Sequence, residues 1–385
     1  MSVHQKTTPS GERRYVVRWR EGARNRSRAF RRKKDAVAYD AEVTRRRQLG
    51  PIALQTLDAG RETLDEFAMG SWATSRRVAL APSTVRLYAS LYDTHIAPYL
   101  GSVPLRELTP DRISTWQAER VDAGAGREVI RKAHTLIGNV LQRAVESGRI
   151  ATNPQRVVRK VKSAQRTETR PLAPASVEAM RSFLLANRGV DKRGRAFRVT
   201  DQPERDATLL SVLAYAGLRP GEALTMTWGN VGDRTLTINA SKTGQRRSVR
   251  VLTPLAVDLA AWKLLALDTS VGALVFPGVD GASWTLAAQE NWGRRAFSKA
   301  ADAAGRPDTT PYTARHSFAS MLLHEGRSVI YVARQLGHGA NLTLSTYGHV
   351  IEELDGAPQI DAQDAIWAAR GEDVPSEFPR LVSVA

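Results

Sequence analysis

A single run, "REVIRKAHTLIGNVLQRAVESG", restricts this chain more than any other feature. Val129, Ala133, Leu136, Val140 and Ala144 recur at three- and four-residue steps, and Gly148 stands where a helix would be capped. That spacing predicts one long helix with an apolar stripe. A stripe of this kind needs other helices to cover it. Upstream, "TLDEFAMGSWATS" opens with a threonine and an acidic first turn. "APSTVRLYASLYDTHIAPYLG" runs from Pro82 to a Pro-Gly stop, and "LTPDRISTWQAER" sets Pro110 and Asp111 at a helix start. Residues 62–154 are therefore expected to form a four-helix module.

The flanks differ from this module and from each other. Residues 1–50 hold 15 basic and 5 acidic side chains, whereas residues 351–385 hold 2 basic and 8 acidic ones. A basic head on a chain of net charge +17 points to a polyanion, most often nucleic acid. In "RYVVRW", Tyr15, Val17 and Trp19 face one way, and Val16, Arg18 and Arg20 the other. "EGARN" reads as a turn. "RNRSRAF" then places Arg24, Arg26 and Arg28 on one face, and "KKDAVAYDAEVTRRR" reads as a helix through Ala36, Tyr39 and Val43. A small sheet with an arginine face and one backing helix, over residues 1–55, can insert strands into a DNA groove. Residues 155–171 read as an interdomain linker. Arg159, Lys160 and Lys162 suit it to crossing a phosphate backbone, and a plain solvated linker has the same composition.

The chain has no cysteine, which excludes disulfides and thiol catalysis. "MSVHQKTTPSGERRY" has no apolar core for a signal peptide, and no apolar run is long enough for a membrane span. A cytoplasmic protein with no membrane contact is the expectation.

Residues 172–355 read as a mixed, mostly helical domain with a β-hairpin at "RTLTINASKTGQRRSVRVL" and Gly244 in its turn. Four short segments in it carry chemistry. In "AYAGLRPGEAL", Arg219 sits at a break between helices with Glu222 one turn on. Lys242 lies on the hairpin tip. In "YTARHSFAS", Arg315 begins a helix beside His316. In "QLGHGANLTLSTYGH", Gly337 caps a helix, His338 follows it, and Tyr347 comes nine residues later. Arginines neutralise the nonbridging oxygens of a phosphate, a lysine or histidine protonates a departing oxygen, and a tyrosine can attack phosphorus. No metal ligand set and no cofactor is implied.

Together, "GLRPGEAL", "SKTG", "ARHSFAS" and "LGHGANLTLSTYGHV" resemble, in this order, the boxes of the tyrosine recombinase (phage integrase) family. The resemblance implies three parts: a three-stranded sheet plus helix that binds arm-type sites, a helical core-binding (SAM-like) domain, and a mixed α+β catalytic domain. The fold class is thus multidomain and mainly α. It implies that Arg219 and Arg315 clamp the scissile phosphate, Lys242 is the general acid, His338 bonds the phosphate, and Tyr347 is the nucleophile of a 3′-phosphotyrosyl link. Glu222 and His316 would support them. It also implies a tetramer on double-stranded DNA that resolves a Holliday junction, with a host DNA-bending protein and an excision factor as further partners.

One position departs from the family. Its usual histidine three residues before the second arginine is Tyr312 here, and a phenol is a weaker base than imidazole near neutral pH. In the acidic tail, 356–385, "QIDAQDAIWAARG" reads as a short amphipathic helix carrying Ile360, Ala365 and Trp367, suited to docking on a neighbouring protomer. A type IB topoisomerase would share the chemistry, but the boxed spacing and the size disfavour it. An idle DNA-binding regulator would not need Arg219, Lys242, Arg315 and Tyr347 together. A chromosome-dimer resolvase would lack the N-terminal module.

Overall fold

The computed structural model describes residues 3–9, 11–21, 24–50, 59–77, 80–163, 170–190, 194–239, 246–278, 281–353, 358–375, 377–379 and 381. The chain divides into two compact units, Met1–Thr167 and Glu168–Ala385.

The first unit opens with an antiparallel sheet of β1 (Val3–Thr7), β2 (Arg13–Glu21) and β3 (Arg24–Phe30), backed by α1 (Lys33–Gln48). Val17, Trp19, Ala36 and Val43 form its small core, with Tyr39 packed against them. The β1 strand escaped the periodicity, because "VHQKT" buries nothing fully. The register also corrects the expected arginine face. Val17 pairs with Arg28 and Trp19 with Arg26, and paired residues point the same way. Arg26 and Arg28 therefore share the helix-covered face, where the Arg28 guanidinium stacks 4.8 Å from the Tyr39 ring. Arg18 and Arg20 pair with Ser27 and Asn25 on the opposite, exposed face. The side chain of Arg24 lies outside the described part.

Helices follow. α2 (Leu64–Phe67) starts at a capping box: the Thr63 hydroxyl accepts from the Glu66 N–H, and the Glu66 carboxylate accepts from the Thr63 N–H. It runs on through a π turn, Ala68–Trp72, into α3 (Ala73–Arg77). α4 (Pro82–Leu91) continues as a wide π-type helix, Tyr92–Gly101. α5 (Pro110–Asp122) and α6 (Arg127–Glu146) complete the bundle. Beyond α6, the Gly148 N–H bonds the Val145 carbonyl and the Arg149 N–H the Ala144 carbonyl, a glycine-terminated cap. The stripe on α6 differs by one residue from expectation. Ala133, Leu136, Val140 and Ala144 are buried, but Val129 is 36% exposed and Ile130 takes its place in the core.

The segment expected as a free linker is partly anchored. Val158 and Val161 pack on the bundle, and their neighbours are tied by Gln117 to the Arg159 carbonyl and by Arg131 to the Val161 carbonyl. This alternation leaves Arg159, Lys160 and Lys162 exposed.

The second unit is built around α8 (Pro203–Tyr215), buried from Arg205 to its end. α7 (Pro174–Ala186), α10 (Thr253–Leu265) and α13 (Pro311–His324) pack on it. α9 (Pro220–Leu224) follows α8 after a short break. Two small antiparallel pairs decorate this core: β4 (Arg188–Val190) with β5 (Ala196–Arg198), and β6 (Thr235–Asn239) with β7 (Arg246–Arg250). α11 (Leu286–Trp292) leads through a π turn to α12 (Ser298–Ala303). α14 (Val329–Leu336), α15 (Ala340–Glu353) and α16 (Ala362–Arg370) end the chain.

Two expectations are corrected here. Arg315 does not begin its helix. Thr310 caps α13, Pro311 is its first residue, and Arg315 lies in the second turn. In the tail helix, Ile360 is 51% exposed and precedes the helix, while Ala362, Ile366 and Trp367 are buried. α16 docks on α7 and α10 of its own unit. Among the described residues, no helix is long and apolar enough to cross a membrane.

Candidate active site

Two helix ends create the site. Gly217, after α8, has φ +62°, and Gly337, after α14, has φ +67°. A Cβ at Gly217 would meet Phe318 at 2.6 Å, and one at Gly337 would meet Arg247 at 2.9 Å, so backbone conformation and space both demand glycine there. Each turn presents carbonyls at the negative end of a helix. Arg315 bridges the two ends, donating to the Gly217 and Leu336 carbonyls, each at 2.5 Å. Arg219 donates to the Gly337 carbonyl at 3.2 Å.

Glu222, on α9, organises the cations. It accepts from the Arg219 backbone N–H at 2.9 Å and from the Arg219 guanidinium at 2.8 Å. Arg247, on β7, meets both of its oxygens, at 3.0 and 2.7 Å, and Arg315 lies 3.8 Å away. Burial pushes this carboxyl up, but the hydrogen bonds and charges of Arg247 and Arg219 outweigh it and hold its pKa at about 2. Burial, then the Arg219 charge, brings Arg315 down to about 10, so it remains cationic at neutral pH. Three arginines surround one carboxylate. Arg315 is buried and Arg247 largely so, while the Arg219 side chain is 36% exposed.

The other two groups come from the chain beyond α14. The His338 Nδ1 lies 3.1 Å from the Thr343 hydroxyl, and burial and the charge of Arg315 lower its pKa to about 4, so the ring is neutral. Tyr347, on α15, is 2% exposed. Its hydroxyl is 2.5 Å from the His316 Nδ1. Burial raises its pKa, with the Arg315 charge pulling the other way.

Comparison with known proteins identifies the family. The profile of the phage integrase family matches residues 194–353, and that of the phage integrase N-terminal SAM-like domain matches residues 64–119. A putative prophage phiRv2 integrase of Mycobacterium tuberculosis is 26% identical over 342 residues, covering 85% of each chain. The tyrosine recombinase XerC of Brucella melitensis is 26% identical over 294 residues, 73% of this chain and 89% of that one. A lambda integrase dimer bound to a COC' core site shares the fold at TM-score 0.61 and 16% identity, over 89% of this chain and 95% of that one. A lambda integrase tetramer bound to a Holliday junction aligns at TM-score 0.58 and 16% identity, over 88% and 94%. The chain belongs to the phage integrase (tyrosine recombinase) family. It is therefore a site-specific recombinase enzyme.

Of the residues singled out from the sequence of this recombinase, Arg219, Glu222, Arg315, His316, His338 and Tyr347 come together in the second unit. Lys242 and Gly244 lie outside the described residues. Tyr312 stands apart. It occupies the first turn of α13, is 55% exposed, and among the described residues has no hydrogen bond to another member of the site. The i, i+3 offset keeps it on the face of Arg315, but its place in the first turn leaves it at the open end of the helix. Arg247 was missed. In "RRSVR" it looks like one solvated arginine of three, and only the strand register turns it toward Glu222.

Proposed function

We propose that this chain is an integrase that cuts and rejoins DNA at attachment sites through a 3′-phosphotyrosyl intermediate and a Holliday junction. The observation that carries this reading is the charge imbalance around Glu222. Three arginines against one carboxylate leave two positive charges in a cluster whose Arg315 acts electrostatically on the hydroxyl of Tyr347. The transition state of phosphodiester cleavage spreads two negative charges over its oxygens, so preorganised arginines stabilise it most. Tyr347 attacks phosphorus, Arg219 and Arg315 bind the nonbridging oxygens, His338 adds a hydrogen bond, and Lys242 protonates the 5′ oxygen that leaves. The bond energy is kept in the phosphotyrosine, so rejoining needs no ATP.

The domain scheme extends this reading. Residues 1–55 bind arm-type sites through Arg18, Arg20 and their neighbours. Residues 62–154 and the cations Arg159, Lys160 and Lys162 grip the core site. The protein works as a tetramer in the cytoplasm, on integration and, with a host bending protein and an excision factor, on excision.

The test is a nicked suicide half-site. The duplex is first recovered from a randomised pool by its binding to the protein. Wild-type protein should form a covalent adduct that survives denaturing gels, and Tyr347→Phe should form none. An adduct with Tyr347→Phe sinks the assignment of the nucleophile.

A further inference from the structure

We propose that His316 is the catalytic proton acceptor for the Tyr347 hydroxyl, in the place that the family's histidine, here Tyr312, leaves vacant. The proposal rests on the reading of Tyr347 as nucleophile. Its ground is geometric. The His316 Nδ1 and the Tyr347 oxygen are 2.5 Å apart, and their rings lie 5.5 Å apart at a 56° tilt. His316 sits one residue after Arg315, so the residue that binds phosphate and the residue that meets the nucleophile share one turn of α13. Tyr312, by contrast, is exposed at the start of that helix.

The tautomer that accepts at Nδ1 carries its proton on Nε2. When Tyr347 attacks, its O–H bond breaks and the proton passes to Nδ1. The phenolic oxygen bonds to phosphorus, the bond from phosphorus to the 5′ oxygen breaks, and that oxygen takes its proton from the general acid. Rejoining runs in reverse, with His316 returning the proton to Tyr347. Burial and then the Arg315 charge lower the pKa of His316, which keeps it neutral and able to accept at neutral pH. The titratable and charged groups that face it are Arg315 on its own helix, Tyr347 from α15, and His338 from beyond α14.

The experiment isolates nucleophile deprotonation by using the same half-site with a 5′-bridging phosphorothiolate, whose thiolate leaves without a proton. Single-turnover adduct formation by wild type should fall as pH drops through a midpoint below about 6.5, because protonated His316 cannot accept. His316→Ala should be about 10²–10³-fold slower and lack that limb, and added imidazole should restore part of the rate. His316→Gln should be as slow as His316→Ala while binding the half-site as tightly as wild type in gel shifts. Three results overturn the proposal: a His316→Ala rate within about threefold of wild type, a normal rate for His316→Gln, or loss of half-site binding by both variants. Loss of the low-pH limb in Tyr312→Phe instead would return the role to Tyr312. An adduct formed by Tyr347→Phe on this substrate would show that the nucleophile itself is misassigned, a separate failure.

Discussion

Among the described residues of the second unit, two clusters of arginine and carboxylate are built to opposite ends. In one, Glu178 and Asp258 face Arg181 and Arg370: Arg181 donates to Glu178 at 2.6 Å and to Asp258 at 2.5 Å, and Arg370 reaches Asp258 at 2.8 Å and Glu178 at 3.2 Å. Ser211 and Tyr215 complete it, as acceptor from Arg181 and donor to Glu178. Charges balance, and all four ionic side chains are at most 11% exposed. In the other, Glu222 faces Arg219, Arg247 and Arg315, the cations outnumber the anion, and Arg219 opens to solvent. A balanced, sealed cluster has no electrostatic need of a ligand and joins helices. An unbalanced one with an open side is incomplete until an anion arrives.

Breaking the balanced cluster should cost the most stability. Arg370→Met leaves two buried carboxylates short of a cation and frees α16 from α7 and α10. Loss of one partner from such a pair costs about 3–5 kcal/mol. Urea unfolding of the full chain should show that loss, whereas the adduct-forming rate of the folded fraction should stay within about twofold. A drop in unfolding free energy below about 1 kcal/mol would mean that the tail helix is held by apolar contacts alone.

Breaking the unbalanced cluster should reverse the pattern. Arg219→Ala removes the exposed cation without opening a buried hole, so stability should change little. Single-turnover cleavage should slow about 10²–10³-fold, the usual effect of losing one oxyanion donor. Arg219→Lys keeps the charge but cannot hold Glu222, the Gly337 carbonyl and a phosphate with one fork, so it should recover only part of the rate. Full activity in Arg219→Lys would show that charge alone matters.

His134, in the first unit, shows what burial does to a histidine whose charged neighbours are cations. It is fully buried on α6, and Gln155 meets its ring at 3.0 Å. Burial, then the charges of Lys160 and Arg131, lowers its pKa to about 4. The unfolded chain takes up a proton there near pH 6.5 and the folded one only near pH 4, so stability falls as pH drops across that window. The loss amounts to about 2–3 kcal/mol. Urea melts of wild type at pH 7.5 and 4.5 should differ by this amount more than melts of His134→Leu. Equal pH slopes in both proteins would assign the acid sensitivity elsewhere.

Local signals made the fold legible. Helix stripes, proline starts and glycine ends placed most of the elements, and errors came where only tertiary packing decides. Val129 and Ile130 are adjacent and both apolar, and the sequence cannot say which one faces inward. Arg26 and Arg28 alternate as well as any DNA-facing pair, yet the register with Trp19 and Val17 puts them on the face that α1 packs against. The site was legible for a different reason: Arg219 and His338 lie next to helix ends, which glycine and proline mark in sequence, whereas Arg315 and Tyr347, inside α13 and α15, were legible through the order and spacing of the family's boxes. Arg247 has no such marker. The balanced cluster was invisible because its four charged residues are spread from Glu178 to Arg370.

Arg247 offers the finest cut between the two clusters, because it belongs to the open one yet is itself largely buried. It donates twice to Glu222 and once, at 3.0 Å, to the Gln335 carbonyl near the end of α14, and its stem packs where Gly337 lacks a Cβ. Through these contacts it fixes both the carboxylate that aims Arg219 and the turn that presents His338. Its side chain is 9% exposed and its donors are turned to Glu222 and Gln335, so its effect should be indirect. Arg247→Met keeps much of the volume and should slow cleavage about tenfold, near 1.4 kcal/mol, with half-site affinity unchanged. A second substitution makes the reading specific. With Arg247 gone, Glu222 loses its strongest partner and Arg219 is held less well, so Arg219→Ala should cost less in the Arg247→Met background than alone. Strict additivity of the two rates would show that Arg247 acts on something other than Arg219.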